Sequence, residues 1–490
     1  MNELIYKHTL HNAIKYEGKA NPGAIIGKVL SENPELKKDM KYLSKEISEI
    51  IKKVNSMKLK DQIEELKKLA PELLEEKKVV EERRLPPLKN VKNQVILRIA
   101  PYPSGPLHIG NAKQVVINDE YAKIYKGKLI LVIDDTIGSE EKNIEPDAYR
   151  LIPEGLEWLN INFDKNIVYK SDRLEIYYKH AEELIKKGMA YTCKCLSEIL
   201  REKRAKGIEC SCRKSEVSNV LSEWYGMLKG NYKEGQIALR LKTSMNNPNP
   251  AFRDRVLFRI SERTHPRVGN KYKVWPMLEF SWAVDDYLLK ITHVIRGKEL
   301  MIESDMEKFI WDIFKWKGPE LIHTGLLTIE GVKLSKSKSK SEVKSGKYFG
   351  WDDPRTWSLQ SLKRRGFKPE AVRNFILSFG VNEHESMVSV DKFYSESRKL
   401  IESEANRYFL IEDPIEIEIK NSPEQEIELK LHPDFPERGF RKYDVSNKFY
   451  ISKKDFDNLK DNKINRLMDC LNFVKKKNKF IFDSNNYMEK

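Results

Sequence analysis

Apolar residues recur every three or four positions through the first part of the chain, separated by many charged ones. The clearest stretch is LSKEISEIIKKVNSMKLKDQIEELKKLAPELLEEKKVVEERR. This spacing collects the apolar side chains on one face of each helix, where they can pack together. We therefore predict a helical domain over residues 1–88, ending in the Pro-rich segment 85–88.

A strand-helix-strand pattern follows that segment. An apolar run at 95–100 leads into a loop rich in Pro and Gly, then a helical run over 108–125, a glycine and a second apolar run at 129–134. This order of elements opens a doubly wound parallel sheet. The predicted fold class is α/β, with a Rossmann-like domain in two halves, 89–190 and 266–345.

The two halves are separated by an irregular, cysteine-rich stretch, which we interpret as an inserted domain over 191–265. A helical junction domain is predicted over 346–400. Beyond it, the segments PIEIEI and EIELKL alternate apolar and polar residues strictly, with the turn segment NSPEQ between them. This alternation is typical of strands with one buried face. The last domain, 401–490, is therefore predicted to be a β-barrel.

The composition favours a multidomain cytoplasmic protein. Hydrophobic residues make up 40% of the 490 residues and charged residues 33%, and no apolar run approaches the ~18 residues of a membrane span. The segment MNELIYKHTLHNAIKYEGK lacks the apolar core of a secretory signal. We expect no membrane partner. Lysine and arginine number 89 against 74 acidic residues, a net charge of +15. This favours a polyanionic partner, although charge alone fits any basic protein equally well.

The loop between the first strand and its helix reads APYPSGPLHIGN, over residues 100–111. Backbone amides and the helix dipole favour a phosphate at this position. The imidazole of His108 can donate a hydrogen bond to charge that develops on an α-phosphate. An isolated HIG triplet is weak evidence, but its place in a strand-loop-helix unit predicts an ATP site. The expected ATP contacts from this loop are Ser104, Gly105, His108, Gly110 and Asn111.

A second motif is the KLSKS sequence at 333–337. It follows Glu330 and Gly331, which suit a tight hairpin turn. Lysine is a mobile point charge suited to a pyrophosphate that leaves an α-phosphate. The repetitive run KLSKSKSKSE also fits a solvated basic loop. The motif at 100–111 in the same chain favours catalytic roles for Lys333 and Lys336, with Ser335 and Lys336 contacting ATP.

Four of the five cysteines lie in one short stretch as two C-x-C pairs: Cys193, Cys195, Cys210 and Cys212. Four thiolates are the ligand set of a tetrahedral structural Zn²⁺ site. The alternative is that reduced cysteines lie together without a metal, since C-x-C pairs are less common than C-x₂-C pairs. We predict that the four thiolates hold Zn²⁺.

The two motifs resemble the HIGH and KMSKS signatures of class I aminoacyl-tRNA synthetases. Asn111 replaces the final His of the first signature, and Leu334 replaces the Met of the second. More closely, the chain resembles the archaeal glutamyl branch of that family. The stretches that carry this resemblance include KYEGKANPGAIIGKVL, KGKLILVIDDT, PNPAFRDRVLFRI, AVDDYLLKITHVIRGKEL and GWDDPRTWSL. Tyr102 and Val132 depart from the branch, in which many relatives have a small or polar residue and an arginine, respectively.

The resemblance implies that L-glutamate is activated with ATP to glutamyl-adenylate, with Mg²⁺ on the phosphates. The glutamyl group then passes to the 3′-terminal adenosine of tRNA(Glu), and tRNA(Gln) stays open as a second substrate. The implied glutamate pocket consists of Arg98, Asp134 and Arg296, with Arg296 facing the substrate side-chain carboxylate. The alternative for Arg296 is a structural pair with Glu299 or a nearby aspartate. The resemblance also implies that the inserted domain binds the tRNA acceptor end and that the barrel binds the anticodon.

Two other functions stay open. A paralogue that glutamylates a modified tRNA nucleoside would lack the barrel, and a catalytically silent tRNA-binding protein would not need His108, Lys336 or Arg296. By resemblance, the family continues for several strands beyond KFIFDSNNYMEK. We therefore expect either a reduced barrel or a second polypeptide that completes it.

Overall fold

The computed structural model describes residues 2–15, 18–20, 22–33, 36, 40–73, 85–139, 143–332 and 336–485. They belong to two compact units, Met1–Arg84 and Leu85–Lys490. The first unit is helical, as the periodicity predicted, with α1 (Asn2–Lys15), α2 (Pro22–Glu32), α3 (Met40–Asn55), α4 (Leu59–Leu69) and a 3₁₀ turn, Pro71–Leu73. Its apolar faces meet in a core of its own, which includes Ile5, Val29, Leu43 and Leu66.

The second unit contains both helices and strands. Its helices are α5 (Ile109–Ile124), α6 (Ala148–Trp158), α7 (Leu174–Lys186), α8 (Ser197–Lys206), α9 (Val217–Leu228), α10 (Leu278–Leu288), α11 (Met301–Phe314), α12 (Lys336–Lys344), α13 (Leu359–Arg364), α14 (Pro369–Leu377), α15 (Val390–Ile401) and α16 (Lys453–Asn458). Its strands are β1 (Ile96–Ile99), β2 (Lys128–Ile133), β3 (Val168–Tyr169), β4 (Ala190–Cys193), β5 (Ala238–Leu241), β6 (Val256–Ile260), β7 (Val274–Pro276), β8 (His293–Gly297), β9 (Glu320–Thr324), β10 (Leu327–Ile329), β11 (Ser386–Val388), β12 (Pro414–Lys420), β13 (Gln425–Lys430), β14 (Phe440–Val445), β15 (Lys448–Ser452), β16 (Ile464–Leu467), β17 (Leu471–Lys476) and β18 (Lys479–Ser484).

A parallel five-stranded sheet with the order β3-β2-β1-β8-β9 forms the centre of this unit. Its strands are apolar on both faces, since Leu97, Leu131 and Val294 are fully buried or nearly so, as expected where helices cover both sides. From β1 the chain adds β2 and β3 on one side, and from β8 it adds β9 on the other side, so the strand order reverses between β1 and β8. The predicted Rossmann-like fold class is confirmed.

Between β3 and β8 in the sequence, the chain forms a separate antiparallel sheet with the order β4-β5-β6-β7. Its last strand, Val274–Pro276, lies beyond residue 265, where the sequence suggested that the insertion ends. Trp224, Phe258 and Trp275 are buried in a core shared with α7, α10 and α11. The inserted sheet therefore packs directly on helices of the parallel sheet.

The carboxyl-terminal part is rich in strands, as predicted. In β12 the side chains of Ile417 and Ile419 are buried, whereas Glu416 and Glu418 are exposed. The strands β12 and β13 follow each other in sequence but belong to different sheets, with the orders β15-β12-β18-β17-β16 and β13-β14. Strict alternation identified the strands, but it carries no information about their partners.

The segment before the KLSKS motif differs from its prediction. Gly331 does adopt a left-handed turn conformation, with φ +74°. However, β10 pairs in parallel with β11, and α12 begins within the motif, at Lys336. The predicted hairpin is therefore wrong, because β10 takes its partner from the helical junction. Among the residues that the structure describes, no helix is long and apolar enough to cross a bilayer.

Candidate active site

A cavity of about 910 Å³ opens beside the carboxyl ends of β1 and β8. In open α/β sheets, ligands bind at these ends, where the strand order reverses. The cavity wall includes the predicted residues Arg98, Ser104, His108, Gly110, Asn111, Asp134 and Arg296. The structure thus brings residues of the first motif together with Arg98 of β1, Arg296 of β8 and Asp134, which follows β2.

His108 forms the amino-terminal cap of α5. Its Nδ1 accepts hydrogen bonds from the backbone amides of Gly110, at 3.1 Å, and Asn111, at 3.3 Å. The Asn111 side chain in turn accepts from the His108 amide, at 3.2 Å, which completes a capping box. Because Nδ1 is an acceptor, the proton of the neutral ring is on Nε2. The helix therefore orients His108 and selects its tautomer.

Gly105 lets the preceding loop pass close to an aromatic ring. Its φ is +147°, and a Cβ added there would lie 3.0 Å from the Trp351 ring. The segment around Trp351 also supports the loop through its backbone, since the Leu359 amide donates to Leu107 and the Ile109 amide donates to Trp357. The predicted phosphate loop is thus held against the helical junction.

The second motif can be placed only in part. Lys333, Leu334 and Ser335 lie outside the described residues, and Lys336 is the first residue of α12, with its side chain outside them as well. Further along this helix, Lys340 lines the cavity. Its Nζ lies 2.7 Å from Glu145 Oε2. This ion pair ties the middle of α12 to the segment that precedes α6.

Arg98 is buried and bound by Asp286 of α10. The guanidinium Nε and Nη2 donate to the two carboxylate oxygens at 2.5 and 2.9 Å. Burial opposes the charge of Arg98, but the adjacent Asp286 carboxylate outweighs it and raises the Arg98 pKa. Asp285 binds Arg173, at 2.7 Å, and Tyr177 instead. The two neighbouring aspartates therefore hold two different segments.

Arg296 is bound in the same bidentate manner. Its Nη1 and Nη2 donate to Glu307 Oε1 and Oε2 at 2.9 and 3.0 Å. Ser304, one turn earlier in α11, accepts from Nε at 3.2 Å. Arg296 does have a structural acidic partner, although it is Glu307 rather than Glu299. It nevertheless lines the cavity, so its inner side is paired and its outer side faces the ligand space.

Asp134, which follows β2, faces Lys170 across 3.3 Å. Lys170 is fully buried and also donates to Ser281, at 2.8 Å. Burial lowers the pKa of Lys170, and the Asp134 charge opposes this change. Near them, burial and the Asp134 carboxylate raise the pKa of Tyr102, which also lines the cavity. Tyr102 is therefore a neutral phenol.

Trp282 connects these charged groups. Its ring centroid lies 4.9 Å from the Arg98 guanidinium, 5.0 Å from the Lys170 ammonium and 5.0 Å from the Arg296 guanidinium. The side chain is buried and lines the cavity. Cations near an aromatic face are stabilised by its quadrupole, and more so when water is excluded.

Sequence reasoning missed Trp282, Lys170 and Glu307, and it assigned no role to Asp286. Trp282 lies within the apolar run EFSWAV, so its pattern is that of a core residue. The sequence did carry a weak signal for these partners. A charged residue within an otherwise apolar helical segment needs an opposite charge beside it, because an unpaired buried charge is costly. That signal indicates that partners exist without saying which they are.

The four clustered cysteines come together on β4 and the segment after α8. Their sulfurs all lie within 4.8 Å of one another, with Cys193 and Cys210 at 3.7 Å and Cys195 and Cys212 at 3.8 Å. Thiolates at ~2.3 Å from a tetrahedral Zn²⁺ lie about 3.8 Å apart. Arg240 Nη1 is 3.7 Å from Cys193 Sγ. The spacing and the adjacent cation fit a metal-bound thiolate cluster.

Comparison with protein families agrees with this geometry. The model of the catalytic domain of the tRNA synthetases class I (E and Q) matches residues 94–402, and the anticodon-binding domain of the same family matches 405–488. The chain belongs to this family. ATP is therefore a substrate, as expected for a class I synthetase.

Comparison with individual relatives identifies the branch of this synthetase family. The glutamate–tRNA ligase of Thermococcus kodakarensis is 45% identical over 478 residues, which cover 96% of this chain and 83% of the relative. That of Thermoplasma acidophilum is 39% identical over 486 residues, which cover 99% and 88%. The predicted resemblance to the archaeal glutamyl branch is confirmed. A solved structure of a glutamate tRNA ligase from Elizabethkingia meningosepticum is 22% identical, with a TM-score of 0.48 over 64% of this chain and 71% of that one. Nothing in these matches supports the predicted second polypeptide.

Proposed function

We propose that the chain is a glutamate–tRNA ligase that activates L-glutamate with ATP and transfers the glutamyl group to the 3′-terminal adenosine of tRNA(Glu). The observation that carries this proposal is a single cavity whose wall includes His108, at the amino terminus of α5, and the two arginines Arg98 and Arg296. One end suits phosphates and the other suits a carboxylate. The identity of 45% to a glutamate–tRNA ligase over 96% of the chain supports the same activity.

At the phosphate end, we assign ATP to the amino terminus of α5. The contacts are Ser104, Gly105, His108, Gly110 and Asn111, joined by Ser335 and Lys336 of the second motif. The Nε2 proton of His108 is the donor for charge that develops on the α-phosphate, while Lys333 and Lys336 act on the leaving pyrophosphate. When bound, Mg²⁺ would supply further charge neutralisation on the phosphates. Adenylation needs no protein nucleophile, so positioning and charge stabilisation carry the rate.

At the other end, we assign Arg296 to the side-chain carboxylate of glutamate. A guanidinium has five N–H donors. Glu307 accepts from Nη1 and Nη2, and Ser304 accepts from Nε and Nη2, which leaves one N–H of Nη1 for the substrate. Arg98 lies beside it across the Trp282 ring, and Asp134 is the anion for the substrate ammonium group. Asp134 also faces Lys170, so its carboxylate would be shared between Lys170 and the substrate ammonium group.

The four cysteines are assigned to a structural Zn²⁺. The sulfur separations match a tetrahedral site, and Arg240 offsets part of the negative charge of the thiolates. The cluster lies in the inserted domain and not in the cavity wall. The metal would hold the segment after α8 against β4, close to the surface that we assign to the tRNA acceptor end.

The anticodon is assigned to the carboxyl-terminal sheets. On β14, Phe440 is 49% exposed and Tyr443 is 43% exposed, so both are available for base stacking. The family match over 405–488 counts against the paralogue that modifies a tRNA nucleoside, because such a protein would lack this domain. Intact His108 and Arg296 count against a silent tRNA-binding protein.

Glutamate-dependent ATP–pyrophosphate exchange, measured without tRNA and with purified tRNA(Glu) or tRNA(Gln), tests the proposal. We expect exchange with glutamate and tRNA(Glu), and the tRNA(Gln) arm decides whether the second tRNA is a substrate. An Arg296→Gln variant should raise the KM for glutamate and weaken discrimination against glutamine. An Arg296→Gln variant that kept the parental KM and preference would show that the pocket is assigned wrongly.

A further inference from the structure

Glu307 stands directly behind Arg296. Its two carboxylate oxygens accept from both terminal nitrogens of the guanidinium, at 2.9 and 3.0 Å. The Glu307 side chain is 0% exposed and is absent from the cavity wall, to which Arg296 contributes. Any effect of Glu307 on a ligand is therefore exerted through Arg296.

We propose that Glu307 is a positioning residue that couples glutamate binding to a proton: the substrate carboxylate binds Arg296 when Glu307 is protonated. This inference rests on the proposed function, because it takes glutamate as the substrate. It adds a residue that determines how the pocket distinguishes a carboxylate from an amide.

The charge balance of the pocket carries the inference. The three cations around the Trp282 ring each already have an anion: Arg98 with Asp286, Lys170 with Asp134, and Arg296 with Glu307. This group of six charges is therefore neutral when all of its members are ionised. A second carboxylate from the substrate would add an uncompensated charge where little water can solvate it, which is strongly unfavourable. A proton on Glu307 removes its negative charge, so that the positive charge of Arg296 is no longer neutralised and can attract the substrate carboxylate.

A protonated Glu307 can keep one contact with Arg296. Its carbonyl oxygen can accept from one terminal nitrogen of the guanidinium, so the N–H that the lost hydroxyl contact releases can turn to the substrate. Ser304 can keep the hydrogen bonds that it accepts from Nε and Nη2. Glutamine carries no side-chain charge and needs no such proton. With Glu307 ionised, these three ion pairs offer the glutamate side chain no net attraction over that of glutamine.

Charged and titratable groups face Glu307 from several elements. Asp286 of α10 repels its charge, whereas Arg296 of β8 and Arg98 of β1 attract it. Burial is the largest effect and raises the pKa of Glu307 to about 7, against the opposing effect of Arg296. The titration therefore falls within the range in which the enzyme can be assayed.

His323 of β9 is a further titratable group close to this pair. It hydrogen-bonds to Ser304 at 2.7 Å, and burial and the Arg296 charge lower its pKa, which favours the neutral ring. The Glu307→Gln variant keeps His323, so a pH dependence that this variant loses belongs to Glu307.

The expected signature is a KM for glutamate that rises with pH. With a pKa near 7, the protonated fraction of an acid falls about tenfold between pH 6 and pH 8. The KM for glutamate should rise by about tenfold over this range, with a smaller change in kcat. The KM for glutamine, where measurable, should change little.

The test compares Glu307→Gln with Asp305→Asn, measuring glutamate-dependent ATP–pyrophosphate exchange with tRNA(Glu) from pH 6 to pH 8. Asp305 lies on the same helix, its side chain is 61% exposed, and its replacement removes the same charge without touching Arg296. The parent and Asp305→Asn should both show the tenfold rise. Glu307→Gln should show a low, flat KM that is about tenfold below the parent at pH 8. A parental pH profile in Glu307→Gln, or a flat profile in the parent, would overturn the proposal.

Proton uptake by the parent provides a measurement that does not depend on a folded variant. Calorimetry of glutamate binding at pH 8, in two buffers of different ionisation enthalpy, should show uptake of about one proton. Binding without proton uptake would overturn the proposal even if Glu307→Gln does not fold. A parent without glutamate-dependent exchange at any pH would instead overturn the proposed function, and this inference with it.

Discussion

Substitutions of His108 can separate helix capping from catalysis, because its two ring nitrogens have different tasks. Nδ1 accepts from the amides of Gly110 and Asn111, and Nε2 carries the proton that we assign to the α-phosphate. An asparagine oxygen replaces Nδ1 in space, whereas a glutamine nitrogen replaces Nε2. His108→Asn therefore keeps the cap, His108→Gln keeps the donor, and His108→Ala keeps neither.

The two losses differ in size and in the assay that detects them. Loss of a helix cap costs about 0.5–2 kcal/mol of stability, which urea unfolding can measure. Loss of a transition-state donor typically costs ~10²–10³ in rate, which pyrophosphate exchange can measure. His108→Asn should thus be slow but stable, and His108→Gln should be less stable but retain more activity. His108→Ala should combine both defects.

The KM for ATP serves as the control, since a donor that acts in the transition state changes kcat more than ground-state binding. His108→Asn with near-parental exchange would refute the assignment of Nε2 as the donor. His108→Ala with parental stability would refute the capping role of Nδ1. Either result would exclude the role of one ring nitrogen without affecting the role of the other.

Three further predictions concern groups outside the phosphate loop. Cys193→Ser should reduce bound zinc, as measured by elemental analysis, and lower the unfolding temperature; a parent purified without chelator that contains no metal would contradict the zinc site. Glu145→Gln removes the ion pair with Lys340, of which both members are partly exposed, so the KM for ATP should rise up to about fivefold, equivalent to ~1 kcal/mol; an unchanged KM would contradict a role in positioning α12. Asp286→Asn leaves the buried charge of Arg98 unpaired and should cost ~3–5 kcal/mol in urea unfolding; a loss below about 1 kcal/mol would contradict that pairing.

The elements that the sequence predicted well are those with local causes. The helix at Ile109–Ile124 was predicted as a helical run directly after the loop rich in Pro and Gly, and the four cysteines lie close enough in sequence for their spacing to indicate a cluster. The strands of the sheet were visible as apolar runs bounded by Pro and Gly. In each case the interaction that forms the feature spans few residues.

The charge partners could not be predicted in this way. Arg98 and Asp286 are separated by 188 positions in sequence, and their pairing depends on α10 packing beside β1. Glu307 lies in α11, eleven positions after Arg296, but many acids lie as near, and only the fold selects this one. The wrong hairpin at Gly331 has the same origin, since the partner of β10 comes from a distant helical segment.

The shared contact of Trp282 with three cations has a consequence for how this pocket can evolve. Lys170, Arg98 and Arg296 come from separate segments of the chain, yet one ring lies within about 5 Å of each. A replacement of the ring therefore alters all three environments at once, and the effects of substitutions at these positions should not add. The four positions consequently form one epistatic unit. We expect the preference of such a pocket for one substrate amino acid to change only through combined substitutions. A single substitution would leave at least one buried cation without the ring or the anion that stabilises it.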